Sequence, residues 1–137
     1  MIIVSACLLG ENCKYNGGNN YCQKVVDYIA DKDYVAVCPE LMGGLTCPRS
    51  PVERVGDKAI NKDGEDVSAE FLWGAGEVLS LCRMYEVDEA ILKEGSPSCG
   101  VHRIYDGTFS GTRIPGMGYT TEILVHNGIN CKSEDDI

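Results

Sequence analysis

The sequence predicts an α/β fold, a small, mainly parallel, Rossmann-like sheet flanked by helices, with a short β-hairpin insertion. Three observations carry that reading. The apolar runs Ile2-Ile3-Val4, Tyr34-Val35-Ala36-Val37 and Ala90-Ile91-Leu92 are short and continuous, as strands of a buried parallel sheet are. Stretches with helical spacing of apolar residues lie between them. Loops rich in Gly, Pro, Ser and Cys follow, which places these residues at the carboxyl edge of the sheet, where α/β folds bind ligands.

Taken in order, the first strand leads into a Gly-, Asn- and Cys-rich loop over residues 10–20. Residues 21–30 then carry apolar side chains at 22, 25, 26 and 29, which is helical spacing, with Asn19 or Asn20 as cap. A second strand over 34–38 stops at Cys38-Pro39-Glu40, because proline has no N–H for a ladder and pushes its predecessor toward extended geometry. Strand, helix and strand make a right-handed crossover. Residues 41–51, with Gly43, Gly44, Pro48 and Pro51, read as a shaped loop over a site.

The hairpin insertion is predicted over 52–55 and 58–61, around Gly56-Asp57. Asp66 caps a long helix over 67–85 whose apolar positions 71, 72, 75, 78, 79 and 82 trace one face, with Gly74 and Gly76 allowing close packing on the sheet. A third strand over 89–93 leads into G-S-P-S-C-G at 95–100. Residues 104–111 are too polar and too often interrupted by Gly for core, and read as a binding loop. A last helix over 119–127 ends at Gly128, a short strand follows at 129–131, and 133–136 form a frayed acidic tail.

With 137 residues, 44% of them hydrophobic and 24% charged, the chain is long enough to bury one core, and residues 1–137 are read as one domain. The formal net charge of -9 opposes attraction to a phosphate backbone, so a small-molecule substrate is expected and a long nucleic acid is disfavoured. The first residues lack a basic stretch, and Gly10 and Glu11 interrupt the apolar run, so neither a signal peptide nor a membrane span is expected. The protein is placed in the cytoplasm with its thiols reduced. There, eight cysteines point to a metal, a cluster or catalysis rather than to disulfides.

Cys22 and Cys82 fall on apolar helix faces and read as packing residues. Cys47 and Cys131 have no partner spacing that points to a metal. Cys7, Cys13, Cys38 and Cys99 differ, since each sits at or just beyond a strand end among Gly, Pro and Ser, and exposed loop thiols gathered together bind something. Four thiolates can hold zinc, but the paired C-x2-C knuckles of such sites are missing. Single cysteines on separate loops suit a larger object, an iron-sulfur cluster.

The motifs S-A-C-L-L-G-x-x-C-x-Y-x-G at 5–17, C-P-E-x-x-G-G-L at 38–45, P-R-x-P-x-E at 48–53, and L-K-E-x-S-P-S-C-G with I-Y-D-G-T-F-S-G at 92–111 resemble one family, in order, from Ser5 to about Ile129. It is the thiouracil desulfidase family, formerly a domain of unknown function, and it has a residue other than Cys where Cys47 stands. The resemblance implies a 4Fe-4S cluster held by only three protein cysteines, with one iron open to take the sulfur of 2-thiouracil or 4-thiouracil as a Lewis acid. Water then attacks the polarised carbon, and no net electron transfer is required.

Under that resemblance Cys7, Cys13 and Cys99 are the favoured ligands, with Cys38 competing for one of the places; if not a ligand, Cys38 is a sulfur relay or packing residue. Glu40, two residues after Cys38, is the expected base, and Ser96 the second catalytic candidate, its hydroxyl facing substrate or water. Ser98 and Ser5 read as local loop residues. Arg49, Glu53 and Tyr105-Asp106 are candidates for lining a pyrimidine pocket, and His102 for a site residue, whereas His126 reads as an ordinary surface residue. Thiolated transfer RNA is not excluded as substrate, and oligomeric state is open, with Phe71, Trp73 and Tyr85 read as core or interface. The rival readings are a non-enzymatic redox sensor or sulfur carrier, and a structural zinc domain.

Overall fold

The computed structural model describes residues 1–137. In chain order its elements are β1 (Ile2–Ser5), α1 (Gln23–Ile29), β2 (Tyr34–Val37), α2 (Pro39–Met42), β3 (Val52–Val55), β4 (Lys58–Asn61), α3 (Ser68–Met84), β5 (Glu89–Leu92), β6 (Arg103–Tyr105), β7 (Arg113–Pro115), α4 (Tyr119–His126) and β8 (Asn130–Ser133). Single 3₁₀ turns follow β1 at Ala6–Leu9 and β8 at Glu134–Asp136. No helix is long and apolar enough to cross a membrane.

The central sheet has the order β2-β1-β5-β8, and all three of its pairings are parallel. Val4 of β1 is flanked by Ala36 of β2 and Ile91 of β5. Because side chains alternate across a strand, Ile3, Ala90 and Leu92 pack with Val78, Cys82 and Leu124 of α3 and α4 on one face. Ile2, Val4 and Ile91 pack with Val25 and Ile29 of α1 on the other. Both faces are covered, which is why the strands read as continuous apolar runs, and each fully buried aliphatic contributes about 1.5–3 kcal/mol. With every strand running the same way, the loops after β1, β2 and β5 share one edge.

Cys82 is buried in that core, with Cys131 packed at its margin, and burial pushes their thiols up to about 11 and about 12. Cys22 packs at the edge of the opposite cluster. Phe71 is core, packed with Tyr119, whereas Trp73 and Tyr85 are exposed.

Several sequence expectations change. The loop expected over 41–51 gives up its start to α2, since Pro39, which ends β2, also supplies the helical φ of a first turn capped by Cys38. Residues 104–111 are not an independent binding loop. They belong to an antiparallel hairpin, β6 with β7, in which Ile104 is buried. Asn19 lies upstream of α1 and accepts the Tyr21 N–H at 3.0 Å, so it makes a turn rather than a helix cap. Asp66 does bond the first helical N–H of α3, that of Ser68, at 2.9 Å.

The acidic tail is anchored rather than frayed. Glu134 pairs with Lys93 at 2.9 Å, Asp135 with Arg103 at 3.1 Å and Asp136 with His102 at 2.8 Å, while Ser133 forms a capping box with Asp136. Gly74 packs against α2 and not against the sheet: a methyl group on it would overlap Pro39 O, just as one on Gly43 would overlap Glu70 O. Gly76 faces open space. Because α2 carries Glu40, Gly74→Ala is expected to cost about 1–3 kcal/mol through forced separation of the two helices, measured as a lower melting temperature. An unchanged melting temperature would show that the crossing tolerates a side chain.

Candidate functional site

Three neighbouring strands deliver the site. Cys38 directly follows β2, Cys7 lies in the 3₁₀ turn after β1, and Cys99 ends the S-P-S-C turn beyond β5. Cys13 returns on the same loop as Cys7. All four line one cavity of about 360 Å³, together with Glu40, Arg49, Glu53, Ser96, Ser98 and Tyr105.

Three of the thiols interact as a row, with Cys13 between Cys7 and Cys38. Interaction with the Cys13 thiol holds the Cys7 thiol below its ordinary value and draws Cys38 down to about 6, against the opposing effect of burial, and Cys38 Sγ lies 3.9 Å from Cys13 O. A backbone N–H at Leu41 helps to hold the Cys38 thiolate. The same interactions, with Cys38 first and then Cys7, raise the Cys13 thiol above its ordinary value. Burial pushes Cys99 up to about 12, although the Ser5 and Ser98 hydroxyls act against it; Ser98 Oγ lies 3.6 Å from Cys99 Sγ.

Glu40 stands in the single turn of α2, largely buried. Arg49 Nε–H donates to Glu40 Oε1 at 3.1 Å, and Ser98 Oγ–H donates to Oε2 at 2.9 Å. Ser98 Oγ is in turn 3.0 Å from Ser96 Oγ. Since the Ser98 proton lies toward Glu40, the Ser96 proton points to Ser98, while Ser96 Oγ accepts the Ser98 and Cys99 N–H groups at 3.2 and 3.1 Å. Ser98 is 2% exposed and Ser96 half-buried, so the row opens to the cavity at Ser96. Arg49 also donates to Thr46 O at 3.2 Å and Cys13 O at 2.9 Å, tying the Cys13 loop to the carboxylate.

A family model described as 2-thiouracil desulfurase matches residues 2–136. The chain belongs to the 2-thiouracil desulfurase family. It is 46% identical to a solved structure titled a [4Fe-4S]-dependent thiouracil desulfidase, TudS, superposing with a TM-score of 0.94 over 99% of this chain and 91% of that one. It is also 39% identical over 147 residues to the Bacillus subtilis (strain 168) protein YbbK, described as uncharacterized, covering all of this chain and 97% of that protein. The family and the α/β fold expected from the motifs are both borne out.

In this desulfurase-family chain the donor set fits an iron-sulfur cluster. It consists of soft thiols without imidazole, two of them biased toward thiolate. No three His, Cys, Asp or Glu side chains are arranged to hold a single metal ion. Exposed Cys47 stands apart, with its thiol on Asn12 O at 3.2 Å.

The other polar candidates separate clearly. Arg49, Glu53 and Tyr105 line the cavity, whereas Asp106 closes a local turn by accepting the Thr108 N–H at 2.9 Å. His102 is not a site residue. Its ring lies outside the cavity on Asp136, whose hydrogen bond raises it above the ordinary histidine value. His126 ends α4 on the exposed surface.

Sequence reasoning took Ser98 as local, although it is the link between Glu40 and Ser96, and it missed Glu94. Buried Glu94 Oε1 accepts the N–H groups of Gly95, Val101, His102 and Arg103 at 2.9 to 3.3 Å. Burial opposes its charge, but these four donors outweigh burial and lower its pKa. The carboxylate thereby fixes the turn that carries Ser96, Ser98 and Cys99. Its only sequence signal was its place in L-K-E-x-S-P-S-C-G.

Proposed function

We propose that this chain is an iron-sulfur-dependent desulfidase that hydrolyses the carbon–sulfur bond of thiolated pyrimidines of the 2-thiouracil or 4-thiouracil type. It acts as one unit over residues 1–137, in the cytoplasm, without net electron transfer. The observation that carries the reading is one cavity holding both a thiol row and a carboxylate–serine row. A cavity of about 360 Å³ is in the range of small-molecule sites, and the chain's net charge of -9 opposes a phosphate backbone, which together favour a small molecule over thiolated transfer RNA.

Three of the four thiols hold the 4Fe-4S cluster. Cys7 and Cys99 are two of them. The sequence put Cys13 ahead of Cys38 for the third place, whereas placement favours Cys38, fixed between β2 and α2 at the end of the strand beside that of Cys7, while Cys13 stands farther along a loop. When bound, the cluster supplies an open iron that polarises the thiocarbonyl as a Lewis acid.

The chain's own residues move the proton. Ser96 takes it from the attacking water as the Ser96 proton passes to Ser98 and the Ser98 proton to Glu40 Oε2. Arg49 holds the other carboxylate oxygen and so fixes the direction of the row. The water oxygen bonds to the ring carbon, the carbon–sulfur bond breaks, and Glu40 returns the first proton along the same serines to the leaving sulfur, which departs as hydrosulfide. The second water proton leaves the new hydroxyl for solvent, where it completes hydrogen sulfide as the carbonyl forms. Atoms balance as thiocarbonyl plus water giving carbonyl plus hydrogen sulfide.

Ser98→Ala is expected to lower kcat by about 10- to 100-fold with KM little changed, because Glu40 then has no hydroxyl path to the cavity. A full-rate variant would remove Ser98 from the route. For the function as a whole, anaerobically reconstituted protein incubated with 2-thiouracil and with 4-thiouracil should release sulfide and uracil in equal amounts without a reductant. An intact cluster with no turnover on either compound would leave the sensor or sulfur-carrier reading.

A further inference from the structure

Glu53 of β3 is 8% exposed, yet only half of its carboxylate is committed to the protein. Oε1 accepts the Gly107 and Phe109 N–H groups at 2.9 and 3.1 Å, fixing the turn between β6 and β7. Oε2 has no partner in the protein. It is not sealed off, unlike the unpartnered Glu94 Oε2. Oε2 therefore opens to the cavity, where it can accept a donor from a bound molecule.

The cavity that Glu53 lines narrows the choice of donor. Tyr15 and Tyr105 present aromatic rings there, and Pro51 and Val52 add apolar surface, as a planar heterocycle requires. Of the cations that line the cavity, Arg49 is engaged with Glu40, Thr46 and Cys13, and Lys93 with Glu134 and the Glu94 carbonyl, while Lys14 lies over the Tyr15 ring, 5.8 Å from its centroid, and makes no ion pair with Glu53. We infer that Glu53 Oε2 accepts the ring N3–H of the pyrimidine and so selects substrates with a free N–H beside the carbon that bears sulfur. The inference rests on the thiopyrimidine reading above. N3 is the relevant nitrogen because it adjoins both C2 and C4, the carbons bearing sulfur in 2-thiouracil and 4-thiouracil, and it keeps its hydrogen when N1 is substituted.

The test is calorimetric titration of the cluster-loaded protein with uracil and with 3-methyluracil, on wild type and on Glu53→Gln. Glutamine retains an acceptor oxygen for Gly107 and Phe109 while placing an NH₂ group where Oε2 stands. Wild type should bind 3-methyluracil about 10- to 100-fold more weakly than uracil, the effect of one hydrogen bond to a charged group. Glu53→Gln should abolish that discrimination and raise KM for 2-thiouracil more than it lowers kcat. Equal binding of the two compounds by wild type, absence of uracil binding, or discrimination that survives in Glu53→Gln overturns the inference. The wild-type comparison needs no variant, so misfolding of Glu53→Gln does not rescue the idea. Sulfide release by wild type, measured alongside, separates the two claims: no turnover defeats the desulfidase reading, whereas turnover with N3 methylation tolerated defeats this one.

Discussion

Glu40→Gln is expected to lower sulfide release from 2-thiouracil by about 10²- to 10⁴-fold, the usual contribution of a positioned general base. The visible absorption of the bound cluster should be unchanged. An amide cannot store the proton, and its geometry reverses the serine row. With the amide oxygen kept on Arg49 Nε, the NH₂ group faces Ser98, so Ser98 must accept where it now donates at 2.9 Å. Glutamine is preferable to alanine because Arg49, whose side chain is 8% exposed, would lose its charged partner altogether on truncation. Since Glu40 acts on the chemical step and does not grip the ring, the loss should fall on kcat. Retention of activity within a few-fold would show that the proton goes elsewhere.

The second large effect concerns the thiols. Cys7→Ser, Cys38→Ser and Cys99→Ser are each expected to take up little iron and acid-labile sulfide on anaerobic reconstitution and to release no sulfide from thiouracil. Cys13→Ser should keep the cluster. The distinction follows from the fold: three of the residues are fixed at the ends of three adjacent strands, and Cys13 is reached only along a loop. Loss of the cluster in Cys13→Ser, with retention in Cys38→Ser, would restore the assignment favoured by sequence alone. Loss in all four would imply a fully ligated cluster with no open iron, and the Lewis-acid step would fall with it.

How legible each part was depends on length and on competing uses of one residue. The buried strands were readable because coverage of both faces makes an uninterrupted apolar run, as at Ile2-Ile3-Val4. The hairpin of β6 and β7 was not, because strands of three residues are too short to show alternation and the Gly-rich turn between them dominates the composition. Helix α2 was hidden by Pro39, which both stops a strand and starts a helix. The cavity residues Cys7, Cys13, Cys38, Cys99, Glu40 and Ser96 stood out in the sequence as loop residues at strand ends.

Ser98 did not, since a serine beside a proline turn reads as local until Glu40, far away in sequence, is seen to accept its proton. His102 failed in the opposite sense. Its nearness to Cys99 in sequence suggested the site, but the anchored tail supplies Asp136 outside the cavity. Glu134 and its neighbours looked like a solvated charge run because their partners, Lys93, Arg103 and His102, lie on other segments.

The central claim is that water replaces sulfur without net electron transfer. It is tested most directly by turnover of 2-thiouracil in heavy-oxygen water, with cluster-loaded protein and no added reductant. The account predicts uracil carrying one labelled oxygen and one sulfide released per uracil formed. Unlabelled uracil, or turnover that stops unless electrons are supplied, would contradict it.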